Sequence, residues 1–138
     1  MSEGRPGPSG AAGRLAERYL RAVAGQDWET VERCLAPTVG RDGPFGDDVE
    51  GIDDYMGLLR RTMPSLPGYR MDLDRVTELG GGRVLVELRE TVEIDGAPVV
   101  TDECLLLAVD DDDRITRVSI YIRRARARPA GRAVGFAP

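Results

Sequence analysis

The hydrophobic pattern of the chain changes its period partway along. Ala16, Tyr19, Leu20 and Val23 recur at i, i+3, i+4 and i+7, the stripe of an amphipathic helix that starts at Ala11 and ends near Gly25. Asp27 stands where an N-cap belongs, ahead of a second helix with Trp28, Val31 and Leu35 on one side and Pro37 closing it. After a short strand ending at Asp42, helical spacing returns in Ile52, Tyr55, Met56, Leu59 and Met63. Asp53 and Asp54 fall in the first turn of this third helix and Arg60 and Arg61 in its last, which complements the helix dipole, and Pro64 ends it. From Tyr69 the period becomes two. Tyr69, Met71 and Leu73 alternate with Arg70, Asp72 and Asp74, and the glycines at 80–82 make a turn. Strands are predicted over 84–94, 99–109 and 115–122, the first two joined by an Asp95-Gly96 hairpin signal.

Helices followed by hairpin-linked strands predict an α+β fold, a curved antiparallel sheet wrapped around a long helix in the manner of a cystatin-like cone or half-barrel. The predicted domain spans 11–123. The Gly-, Pro- and Ser-rich residues 1–10 read as a disordered tail, and the Arg-, Ala-, Gly- and Pro-rich residues 124–138 as a flexible one.

Strand parity assigns the faces. Val84, Val86, Leu88, Glu90 and Val92 share one face of the long strand, and Thr116, Val118, Ile120 and Ile122 form the apolar face of the last. Between them, Thr101, Glu103, Leu105 and Leu107 share a face of a strand that is apolar on both sides, as if a second copy covered the outside. A homodimer through the sheet face is the expectation. The inside of the cone is then mostly Val, Leu and Ile with a few acids. Such a lining is expected for a hydrophobic small-molecule substrate, bordered by Trp28, Tyr55, Met56, Leu59, Val86, Leu88, Leu105, Val118 and Ile120. A carboxylate there loses hydration and its pKa rises toward neutrality, which makes Glu90 and Glu103 candidate acid–base groups; an inward acid near a sheet rim that bonds a neighbouring Arg is the alternative.

Composition narrows the chemistry. The 138-residue chain has no histidine and no lysine, its 19 basic residues all being arginine, so proton transfer falls to Asp, Glu, Tyr or Cys and Schiff-base chemistry on lysine is excluded. Cys34 and Cys104 lack any CxxC spacing and read as buried thiols; neither a metal site nor a cofactor is expected. A net charge of -5 argues against nucleic acid and against an anionic membrane. No apolar run approaches the roughly 18–20 residues of a membrane helix, and the N-terminus lacks the apolar core of a signal peptide, so a soluble cytoplasmic protein is expected. The run 110–113 reads as a solvated hairpin turn rather than a calcium loop.

The segments ERYLRAVAGQDWETVERCLA and VGRDGPFGDDVEG, with this order of elements, resemble the nuclear transport factor 2-like superfamily, which includes ketosteroid isomerases, limonene-epoxide hydrolases and polyketide cyclases. The resemblance implies the cone fold over about 11–123. Arg18-Tyr19 and Asp42 ahead of Gly43-Pro44-Phe45-Gly46 are similar to the ketosteroid isomerase pattern, which implies Asp42 as a base moving a proton between carbons and Tyr19 as the oxyanion donor. Where that family places a second acidic donor, this chain has Leu105; at the epoxide hydrolases' arginine and second aspartate it has Leu88 and Ile120. Asp42 is thus either a base at the mouth of a pocket or a polar strand end bonded to its turn. A cofactor-independent isomerase or cyclase acting on a hydrophobic carbonyl or polyketide-like substrate is the expected function, with epoxide opening and non-catalytic binding as alternatives.

Overall fold

The computed structural model describes residues 10–123. The expectations made for the two tails lie outside this range, except that Gly10 serves as N-cap of the first helix. Helix α1 (Ala11–Ala24) buries Leu15, Ala16, Tyr19, Leu20 and Val23 along one side. In α2 (Trp28–Cys34) Asp27 caps the N-terminus, accepting from Thr30 N and, at 2.7 Å, from Thr30 Oγ1. The sequence pattern carries this helix on to Pro37, but it stops at Cys34. Leu35 already begins strand β1 (Leu35–Asp42). Proline biases the residue before it toward extended backbone, and Pro37 falls in a register irregularity between Leu35 and Gly40, where a missing N–H is tolerated.

A two-residue strand, β2 (Val49–Glu50), and helix α3 (Ile52–Thr62) follow, then a 3-10 turn, Met63–Ser65, that contains Pro64. Strands β3 (Arg70–Gly80), β4 (Arg83–Ile94), β5 (Ala97–Val109) and β6 (Ile115–Ile122) complete the chain. The sheet has six strands in the order β2-β1-β6-β5-β4-β3, antiparallel throughout except that β1 runs parallel to β6. Asp95 and Gly96 both take positive φ, 54° and 81°, which is the geometry of a two-residue hairpin turn. A shift of register between Leu73 and Arg75 rephases β3, so that Leu73 and Val76, three residues apart, both pack on the core.

One hydrophobic core lies between the concave face of the sheet and the helices. Val84, Val86, Leu107, Ile115 and Val118 are fully enclosed, facing Val31 and Cys34 of α2 and Tyr55 of α3. Cys34 is buried as expected, whereas Cys104 is half-buried on the convex side; both thiols are free. No helix among the described residues is long and apolar enough to cross a membrane.

Candidate active site

The core does not fill the cone. A cavity of about 200 Å³ opens between α1, α3, the loop after β1 and the concave face of the sheet. Most of its wall is hydrocarbon and aromatic: Leu20, Val23, Phe45, Leu58, Leu59, Met63, Leu66, Met71, Leu88, Leu105, Ile120 and Ile122. Five polar or charged side chains converge on it, namely Tyr19, Arg41, Tyr55, Glu90 and Glu103, with Asp47 and Thr62 also on the wall.

Glu90 and Glu103 reach the cavity from neighbouring strands. β4 and β5 pair so that Leu88 faces Glu103 and Glu90 faces Thr101, which leaves the two glutamates diagonal neighbours on the concave face. Their carboxyl groups share a hydrogen bond. Burial in the apolar wall comes first among the causes that push Glu103 up to about 10, followed by the hydrogen bond and the charge of Glu90, while Arg41 acts in the opposite sense. The Glu103 carboxyl is therefore neutral near pH 7, beside the carboxyl group of Glu90. Glu90 also accepts a 2.5 Å hydrogen bond from the Tyr69 hydroxyl.

On the opposite wall the hydroxyls of Tyr19 (α1) and Tyr55 (α3) are hydrogen-bonded to each other, both buried. Burial raises the pKa of each phenol, so both remain neutral donors across the physiological range. Arg41 lies close enough to the Tyr55 phenol to favour its anion, against burial, and its side chain is only 14% exposed. Its Nη1 donates to the Asp47 carbonyl at 2.8 Å and to Asp47 Oδ2 at 3.0 Å. Although burial pushes Asp47 up, the Arg41 hydrogen bond and the Phe45 N–H hold its carboxyl below the usual range. Asp47 thereby ties the loop that carries Pro44 and Phe45 over the cavity rim.

Asp42 lies elsewhere. In β1, Val39 and Arg41 face the concave side, and Asp42 takes the other parity. Its carboxylate is 44% exposed, accepts from Arg117 Nη1 at 2.6 Å and Ser119 Oγ at 2.8 Å on β6, and does not border the cavity. Those partners, the Ser119 hydroxyl first, lower its pKa, the opposite of what a base kept poorly hydrated requires. The same Arg117 also bonds Glu50, so this cluster is an ion-pair network across β2, β1 and β6 on the convex face. The expected position of Asp42 at the pocket mouth is therefore corrected.

Of the residues expected to line the pocket, Tyr55, Leu59, Leu88, Leu105 and Ile120 border the cavity. Met56, Val86 and Val118 do not, because they are packed into the core behind it, and Trp28 packs half-buried against that core from the start of α2. Arg41, Asp47 and Tyr69 went unrecognised in the sequence. The only signal for Arg41 is its parity with Val39 across the end of β1. Among the described residues no group of His, Cys, Asp or Glu has the arrangement of a metal site.

A cone that encloses a largely apolar cavity with two glutamates on its wall has the α+β architecture of the nuclear transport factor 2-like fold. Residues 16–118 match the SnoaL-like domain, and the chain belongs to that family. Many solved structures are similar, among them the following three. An LEH-like epoxide hydrolase from M. tuberculosis is 27% identical, with 82% of this chain and 83% of that one covered at a TM-score of 0.71. The epoxide hydrolase/cyclase-like enzyme of pyran ring formation in the polyether salinomycin is 13% identical (81% and 90% covered, TM-score 0.70). A protein of ketosteroid isomerase-like fold from Catenulispora acidiphila is 17% identical (78% and 83% covered, TM-score 0.66). No curated protein matches the chain.

Proposed function

We propose that this protein is a cofactor-independent isomerase or cyclase that works by acid–base catalysis on a small hydrophobic substrate bearing a carbonyl oxygen. The observation that supports this reading above all is the hydrogen-bonded Glu90–Glu103 pair on an apolar wall. One proton between two carboxyl groups gives a neutral acid beside a carboxylate, the two partners that enolisation needs. Glu103 donates to the carbonyl oxygen as negative charge develops there, and Glu90 takes the proton from the adjacent carbon. Tyr19 and Tyr55 offer further neutral donors from the opposite wall. The enclosed volume bounds the substrate. A cavity of roughly 150 Å³ holds benzene, so about 200 Å³ suits one or two rings with the remainder projecting past the rim.

Epoxide opening is the second reading, favoured by the 27% identity to an epoxide hydrolase over most of both chains. The same pair would then protonate the ring oxygen and activate a water or an internal hydroxyl. In either reading, two copies of the chain pair through the convex sheet face, where Val100 and Tyr121 are exposed.

A panel of cyclic enones and epoxides of about ten non-hydrogen atoms, incubated in D₂O, tests both. Exchange at the carbon next to the carbonyl, seen by proton NMR, reports enolisation; diol or cyclic ether, seen by mass spectrometry, reports epoxide opening. Glu90→Gln and Glu103→Gln should each lower turnover by about 100-fold or more. Full activity in both variants contradicts the proposal.

A further inference from the structure

Tyr69 does not border the cavity, yet it is joined to the acid pair. It stands just before β3 and is half-buried against the core. The β3–β4 register sets Met71 opposite Glu90, and Tyr69, two residues earlier, faces the same side. From there its hydroxyl donates to Glu90 Oε2 at 2.5 Å. Glu90 therefore accepts from two directions, from Tyr69 and from the Glu103 carboxyl. Burial, then the charge of Glu90, pushes the Tyr69 phenol up, so it stays a donor at any pH the folded chain meets.

A second influence works against this arrangement. The Arg41 guanidinium on β1 favours the anion of Glu103, and its charge is shared with Asp47 of the rim loop. Of the other polar groups facing the cavity, Tyr19 from α1 and Tyr55 from α3 are neutral donors near Arg41, and Thr62 at the end of α3 carries no charge. Leu88, Leu105, Ile120 and Ile122, the remaining concave-face neighbours, carry no charge. Burial of Glu103 and the Tyr69 hydroxyl on Glu90 thus both favour the proton on Glu103, and Arg41 opposes them.

We propose that Tyr69 is the positioning residue that assigns the roles within the pair: its hydroxyl fixes Glu90 as the acceptor, against the pull of Arg41, and so keeps the proton on Glu103. The assignment rests on the reading of this pair as acid and base. A hydrogen bond to an ionised group biases such a choice by about tenfold or more. Without the hydroxyl that bias toward Glu103 is lost, and the population with the proton on Glu90 rises.

The test uses the full chain with glutamate labelled at the carboxyl carbon with 13C, the signals of Glu90 and Glu103 being identified from Glu90→Gln and Glu103→Gln. At pH 7 the wild type should show Glu103 at the position of a neutral acid and Glu90 at that of a carboxylate. In Tyr69→Phe both signals should move toward each other's wild-type positions, the ratio of the two protonated forms changing by about tenfold or more. Unchanged signals in a folded Tyr69→Phe overturn the proposal. Should that variant not fold, 3-fluorotyrosine placed at position 69 decides: its more acidic hydroxyl should enlarge the population with the proton on Glu103, and unchanged populations overturn the assignment. These signals are read without substrate. A normal response together with no turnover on any compound would overturn only the catalytic reading.

Discussion

Replacing Glu103 by glutamine should change how stability depends on pH. Glu103 is raised from its ordinary 4.5 to about 10 in the folded chain, chiefly by burial. Its contribution to stability is therefore fully present below pH 4.5 and is lost as pH rises toward 10. Within that window the unfolded chain has released a proton that the folded chain retains. The slope from this one group is about 1.4 kcal/mol per pH unit. At pH 7, about 2.5 units above the unfolded value, the accumulated penalty is about 3 kcal/mol, whatever the folded value is so long as it lies above 7. Glutamine keeps an N–H donor for Glu90 and has nothing to ionise. Urea unfolding of wild type and Glu103→Gln at pH 5, 6, 7 and 8 isolates the effect, since Asp42 and Asp47, whose lowered values give the opposite slope at acid pH, are common to both. The wild type should lose stability relative to the variant at each step, by about 1 kcal/mol per unit once denatured-state structure is allowed for. Parallel curves across this range would refute a neutral Glu103.

Asp42→Asn should leave turnover on any responsive substrate within about twofold and lower stability by less than about 1 kcal/mol, because it weakens an exposed ion pair away from the cavity; a large loss of activity measured beside Glu90→Gln would return Asp42 to the site. Tyr19→Phe removes one hydroxyl of the buried phenol pair and should lower the unfolding free energy in urea by about 1–3 kcal/mol. Tyr121→Glu, on the convex face, should shift the mass seen by light scattering from two chains to one without altering the unfolding midpoint of the separated chain by more than a few tenths of a unit of urea; an unchanged mass would argue against pairing through that face.

Strand parity made much of the site legible. In β4 one face is apolar and alternation placed Glu90 on it; in β5, apolar on both sides, alternation put Glu103 with Thr101, Leu105 and Leu107 without saying which face is concave. The same rule was available in β1, where Val39 faces inward and fixes Arg41 inward and Asp42 outward. That strand is short, distorted near Pro37, and followed by a turn, and the resemblance to an isomerase pattern outweighed a single step of parity. Tyr69 was legible as the first inward residue before β3, but its partner depends on cross-strand register, which no periodicity reveals. Arg41 bonds Asp47 six residues on, through a loop whose shape follows from side-chain bonds to backbone N–H groups rather than from any repeating pattern. The end of α2 shows the same limit. Leu35 fits the helical stripe, yet the extended preference before Pro37 and pairing with β6 claim it for the sheet.

At the centre of the site is a carboxylic acid that stays neutral inside an apolar cavity at ordinary pH. Infrared spectroscopy of the unliganded protein at pH 7 observes that group directly: the carbonyl stretch of a protonated carboxyl should be present in wild type and absent from Glu103→Gln. If wild type shows no such band at pH 7, or the band survives in Glu103→Gln, the acid–base pair described here does not exist in that form.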